Sequence, residues 1–261
     1  MSFLYSTENM ITSTTLPEDN AIYRSSEDAI YQVENLYDTR PSRPFRFTGK
    51  AAEWVKIDLG YRRIVSLFAI FNHNIQAVAT HQLHCSGNNG AWKLIANLAY
   101  RKNDLHERFG VNERWFRYSV GDATNPDPLT IGEMWLGLWN EFSYAKLQSP
   151  RGDGPEFWTV DQITPYGQDW DAYLSENEKF SISLQNVNDR NGIDEVQLFL
   201  ESVFEAGNRF VFIPNRNTPH VYYCKITNKS DFANRRVFGD PSELRDWNIE
   251  IKTLTRGIIL L

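Results

Sequence analysis

The sequence predicts a mainly β protein made of two β-sandwich domains, the second carrying one packed α-helix. Three observations support this. Segments such as Trp54–Leu59 alternate apolar and polar residues, the period of a half-buried strand. Turn-forming runs such as Ser86-Gly87-Asn88-Asn89-Gly90 separate these segments. A single segment, Ile193–Ala206, has helical periodicity. Many strands with turns between them argue for antiparallel sandwiches.

Taken in order, residues 3–7 suit a short first strand. Residues 12–50 hold few aliphatics and many Ser, Thr, Pro and Arg, the composition of long ordered loops, with a helical turn expected near Ser26–Ala29. In Trp54–Leu59, Val55, Ile57 and Leu59 take one face and Trp54, Lys56 and Asp58 the other. A Gly-Tyr-Arg-Arg turn is expected to lead into Ile64–Phe71, apolar almost throughout and so central in a sheet. Strands are expected at Thr80–Cys85, Trp92–Leu98, Arg114–Val120 and Thr130–Leu138.

The pattern changes at Asn140, and Gln148-Ser149-Pro150-Arg151-Gly152-Asp153-Gly154-Pro155 reads as loop. The expected organisation is a first domain over 1–141, a linker over 142–156 and a second domain over 157–261. In the second, strands are expected at Gln168–Tyr173 and Phe180–Asn186, around a Ser-Glu-Asn-Glu-Lys turn. The helix follows, with Val196, Phe199, Leu200, Val203 and Phe204 on one stripe and Gly207 ending it. Arg209–Pro214, Val221–Thr227 and Asn248–Leu254 complete the strands.

With 27 basic and 33 acidic residues the net charge is −6, and no basic stripe appears, so nucleic acid is not expected as a direct partner. The two cysteines, Cys85 and Cys224, read as buried free thiols, not a disulfide framework. The start MSFLYSTENM has no secretion signal, and no apolar run approaches the ~20 residues of a spanning helix, so membrane insertion is not expected.

No constellation points to catalysis. His81 and His84 are three apart on a strand and face opposite sides, so they do not share a metal. Asp169 and Asp171 share a strand face but sit among solvated residues. Ser149 and Ser181 lack a nucleophile elbow, and there is no phosphate-binding glycine motif. Arg151-Gly152-Asp153 spells an integrin-binding tripeptide, which a Gly-rich linker explains fully. The chain is therefore expected to be no enzyme and to need no metal or cofactor. The candidate ligand or interface loop is the run with Asn35, Tyr37, Arg40, Arg43, Phe45 and Arg46. Its interleaved arginines and rings could hold sugars or acidic groups, or could order the loop against the sandwich edge.

The segment ENLYDTRPSRPFRF…EWVKIDLGYRRIVSLFAIFNHN resembles the galactose-binding-like, discoidin-type jelly roll. Asn35-Leu36, Arg43 to Phe47, Asp58-Leu59-Gly60 and His73-Asn74 carry the likeness, with Trp115-Phe116-Arg117-Tyr118 and Ile131–Gly137 near the domain end. It implies a jelly roll over about 1–140. Together with the second half, in the runs Arg209–Pro214, Tyr222–Ile226 and Trp247–Ile251, the chain is similar to bacteriophage tail-tube and distal-tail proteins. That resemblance implies a virion structural protein of a tailed phage, in a tail or baseplate. The chain would be made in the host bacterial cytoplasm and form a ring through its C-terminal domain. Its partners would be copies of itself, other tail or baseplate proteins, and host cell-surface glycan. The alternative is a free, non-catalytic carbohydrate-binding module.

Overall fold

A computed structural model describes residues 3–11, 22–102, 104–142, 151–163, 169–187, 190–207, 209–214, 221–227 and 245–254. It is mainly β, with two antiparallel sheets and one helix among the described residues. Internal contacts divide the chain into two units: Glu8–Trp139, and Met1–Thr7 together with Asn140–Leu261.

The first strand, β1 (Phe3–Ser6), belongs to the second of these units. It lies between β9 (Asn140–Phe142) and β12 (Phe210–Ile213), with Phe3 opposite Phe142 and Leu4 opposite Ile213. This corrects the expected 1–141 domain: its first seven residues join the other core, and Glu8–Trp139 is inserted in the chain between two neighbouring strands. The reason is aromatic packing. Phe3 stacks on Phe142 at 4.7 Å, and Tyr5 meets Phe199 edge-on at 4.7 Å. A four-residue strand buried on both faces carries no alternation to say which core it serves.

The inserted unit holds β2 (Ile22–Arg24), β3 (Phe45–Arg46), β4 (Glu53–His73), β5 (Thr80–Ser86), β6 (Lys93–Asn97), β7 (Asp104–Gly121) and β8 (Thr130–Gly137). Their order is β3-β8-β4-β7-β5-β6, with β2 also on β4. The first part of β4 pairs with β2 and the last part of β7; the second part pairs with the start of β7 and with β8. Val55, Ile57, Leu59 and Val65 enter the core, then Phe68 and Ile70 do. The register shift between Val65 and Leu67 is what changes the inward parity from odd to even. The expected Gly-Tyr-Arg-Arg turn is therefore a bend inside one continuous strand. Gly60 takes φ +77° there, and its N–H donates to Asp58 Oδ1 at 2.9 Å.

Polar side chains staple this unit's loops. Asp122 Oδ2 accepts from the Gln76 N–H at 2.8 Å and from Asn125 Nδ2 at 3.0 Å. His73, at the end of β4, accepts the Ile75 N–H at Nδ1, 3.2 Å away. Burial, then the neighbouring His81, pushes the His73 imidazole down to about 4, with the Arg101 backbone pulling the other way.

The other unit adds β10 (Arg151–Ile163), β11 (Asp169–Val187), α1 (Arg190–Glu205), β13 (Tyr222–Ile226) and β14 (Arg245–Thr253). The strand order is β10-β11-β14-β13-β12-β1-β9. Phe199, Leu200 and Val203 of α1 are buried in one cluster with Phe3, Phe142, Phe210 and Phe212, as the apolar stripe predicts. Gly207, at φ +72°, closes the helix by donating to the Phe204 carbonyl at 3.1 Å.

Two expectations fail here. Arg151–Pro155 is not linker but the start of β10, and a register shift between Gly152 and Gly154 accommodates the glycines. The Ser175–Lys179 turn is absent, because β11 runs unbroken along β10. The rest of the expected linker, 143–150, lies outside the described residues. Cys85 and Cys224 are buried free thiols, one in each cluster.

Candidate functional site

The loop chosen from sequence is used mostly to hold itself together. A single 3-10 turn spans Val33–Leu36, in place of the helical turn expected near Ser26–Ala29. Asn35 is buried there and its Nδ2 donates to the Pro44 carbonyl at 3.1 Å. Tyr37 is half-buried against the core, and burial, then Glu34, raises its phenol. Phe45 is fully buried, edge-on to Phe47 at 4.7 Å. Arg46 lies over the Tyr31 ring at 4.1 Å. Arg40 and Arg43 are exposed, but the backbone N–H of Arg43 donates to the Arg40 carbonyl at 2.8 Å to close the turn. The loop docks on β8 where Gly132 leaves no room: a Cβ there would meet the Pro41 carbonyl oxygen at 2.3 Å. The six residues therefore run from the 3-10 turn into β3, and only Arg40 and Arg43 are exposed.

A second group converges on the outward face of the sheet formed by β2, β4, β7, β5 and β6. Because strand residues alternate, Ile57, Phe116 and Cys85 point inward while their neighbours point out. One row across the strands reads Tyr23, Lys56, Arg117, His84, Leu94. The next reads Trp54, Ser119, Gln82, Asn97, and a third contains Asp58, Trp115 and Ser86. Trp92, just before β6, closes the far side. Tyr23 and Leu94 are 43% and 51% exposed, so the first row is open to solvent, whereas Asp58, Trp115 and Ser86 of the third row are buried.

Rings and cations interleave across it. Tyr23 lies against Trp115 at 5.8 Å. The Lys56 ammonium is 4.7 Å from Trp54 and 5.5 Å from Tyr23, and the Arg117 guanidinium is 4.6 Å from Trp92. Each such contact contributes about 0.5–1 kcal/mol when exposed and fixes the cation above the ring. Asp58 accepts two bonds from Arg114 at 2.6 Å. Gln82 Nε2 donates to Asn97 Oδ1 at 3.1 Å. Burial, then Arg117, holds the His84 imidazole below its usual range. Facing inward on the same strand, His81 bonds the Tyr118 hydroxyl at 2.9 Å, so the two histidines are on opposite sides as their spacing requires.

Sequence reasoning put Trp54, Lys56 and Asp58 on the outward face but did not select them. The usable signal was that three separate strands or turns, Trp54–Lys56, Trp92 and Trp115–Arg117, each carry an indole beside a cation.

No protein-family model matches this chain, and no curated protein is significantly similar to it. Solved structures are similar to about half of it. A family-32 carbohydrate-binding module produced by Clostridium perfringens matches at TM-score 0.40 and 16% identity, covering 49% of this chain and 98% of that one. A chitosan-binding module from the chitosanase/glucanase of Paenibacillus sp. IK-5 matches at 0.41 and 14%, covering 49% and 98%. A fucose binding module of Streptococcus pneumoniae matches at 0.39 and 17%, covering 50% and 94%. Likeness at that level carries no residue and no ligand over to this chain.

Proposed function

We propose that this chain is a non-catalytic glycan-binding protein that takes carbohydrate on the outward face of the Glu8–Trp139 sheet. The observation that carries the reading is the spacing of Tyr23, Trp54 and Trp92 around polar groups on one sheet face, with Trp115 buried against Tyr23. Aromatic rings offer large flat apolar area to the C–H faces of sugars, while amide and cationic neighbours bond hydroxyls. Gln82, Asn97, His84, Lys56 and Arg117 supply those neighbours here. The loop Asn35–Arg46 orders the edge of the unit and is not the sugar contact.

Calorimetric titration with a panel of purified polysaccharides tests this. Trp92→Ala and Trp54→Ala should each weaken binding about tenfold, the loss of one stacking contact of ~1.4 kcal/mol. Arg40→Ala with Arg43→Ala should leave it unchanged. Binding lost in the arginine variant and kept in both tryptophan variants would overturn the assignment.

One observation favours a second role, self-association through the other unit. β14 pairs with β11 only over Lys179–Val187, so Asp169–Glu178 pairs with β10 alone among the described residues. A two-stranded ribbon is marginal in water by itself, and its open edges pair readily with another chain. In this reading copies join through the ribbon, as a tail or baseplate ring requires, and present the sugar-binding unit many times over. Sedimentation of the intact protein decides it: a closed oligomer supports the reading, a monomer at all concentrations contradicts it. The solved structures named above are sugar-binding modules and not tail proteins, so the tail role rests on the ribbon and on the sequence resemblance.

A further inference from the structure

The charges on the outward sheet face are unequally compensated. Asp58 is committed to Arg114. Glu113 lies 3.8 Å from Arg62 and 3.7 Å from Lys93. Lys56 and Arg117 have no ion-pair partner among the described residues. They are directly opposite one another in the β4–β7 ladder, and Arg117 is opposite His84 in the β7–β5 ladder. Like charges directly opposite across strands repel. Rings hold both cations in place, but a ring face leaves their N–H groups unused. The Arg117 Nε is buried without an acceptor, a costly state for a donor.

Taking the glycan-binding reading as its basis, we propose that Lys56 and Arg117 form an anion subsite, so that the glycan this face takes is acidic, bearing a carboxylate or a sulfate on the sugar. The anion accepts from the Arg117 guanidinium and from the Lys56 ammonium and cancels their repulsion, while Trp54 and Trp92 flank it as platforms for the sugar rings. Two uncompensated cations in a chain of net charge −6 suit a polymer with charges spaced a sugar apart. They do not suit the dense charge of a nucleic-acid backbone, whose binding scales with many phosphate contacts.

The test titrates the full chain with sodium polygalacturonate, its fully methyl-esterified form, dextran sulfate, neutral dextran and single-stranded oligo-dT. The same titrations are run on Lys56→Gln and Arg117→Gln. We expect one charged polysaccharide to bind at least tenfold tighter than its neutral counterpart; which one it is separates carboxylate from sulfate. Each substitution should cost about tenfold on that ligand, the loss of one charge-assisted contact, and leave the neutral polymer unchanged. Equal binding of charged and neutral polymers overturns the anion subsite and leaves the glycan reading standing. Binding of no polysaccharide at all overturns both, and oligo-dT binding tighter than either acidic polymer replaces the ligand class with nucleic acid.

Discussion

Acid stability gives a direct measure of how tightly the end of β4 is packed. His73 is held neutral by burial, with its value lowered from 6.5 to about 4. A base whose folded value is depressed binds its proton more readily when unfolded. Its contribution is therefore fully present above pH 6.5 and drains away as pH falls towards 4, below which nothing further is lost. The drop is 2.5 units, and at ~1.36 kcal/mol per unit that is roughly 3 kcal/mol, about 2 of it gone by pH 5. His73→Asn is the suitable perturbation: its side-chain oxygen can replace Nδ1 as acceptor for the Ile75 N–H, and it does not titrate. Urea unfolding at pH 7.5, 5 and 4, followed by circular dichroism, gives the stabilities. Wild type should lose about 3 kcal/mol more than the variant between the first and last conditions. The comparison with the variant cancels the carboxylates and the histidines other than His81, which is coupled to His73. Parallel pH curves for the two proteins would refute the burial argument.

Other outcomes follow from the packing. Phe199→Ala should cost about 3–5 kcal/mol, since Phe199 is fully buried against Phe3, Tyr5, Phe142 and Phe210; an unchanged melting temperature contradicts this. Gly132→Ala should cost roughly 1–3 kcal/mol and loosen the Asn35–Arg46 loop, read as faster amide exchange at Asn35 and Tyr37, because its Cβ would meet the Pro41 carbonyl oxygen at 2.3 Å and the Asn72 Cβ at 2.8 Å. Residues 8–139 expressed alone should unfold cooperatively, whereas deleting residues 1–7 from the full chain should destabilise only the other unit. Titration with a thiol reagent under denaturing, non-reducing conditions should count two free thiols in fresh protein.

The fold was legible wherever one face of a strand meets solvent. Val55, Ile57 and Leu59 announced their strand, and Phe199, Leu200 and Val203 announced the helix, because burial on one side writes a period into the chain. It was illegible where burial is two-sided or where pairing overrides composition. Phe3 and Tyr5 read as a strand but not as a strand of the distant core. Gly152 and Pro155 read as linker because local propensity cannot foresee a long partner in β11. The loop left two readings open in one dimension, ligand contact or ordering of the sandwich edge, and Asn35, Phe45 and Arg46 turn to Pro44, Phe47 and Tyr31. The grouping of rings on the outward sheet face was not visible in the sequence because Tyr23, Trp54 and Trp92 come from β2, β4 and the turn before β6, and only strand register brings them side by side.

The central claim is that the ligand lies on the outward sheet face. Tryptophan side-chain N–H resonances of the full chain, followed by NMR during addition of a bound oligosaccharide, test it most directly. Trp54 and Trp92 should shift together and saturate with a single affinity, while the amides of Asn35 to Arg46 stay still. Shifts confined to that loop, with both indoles unmoved, would contradict the account.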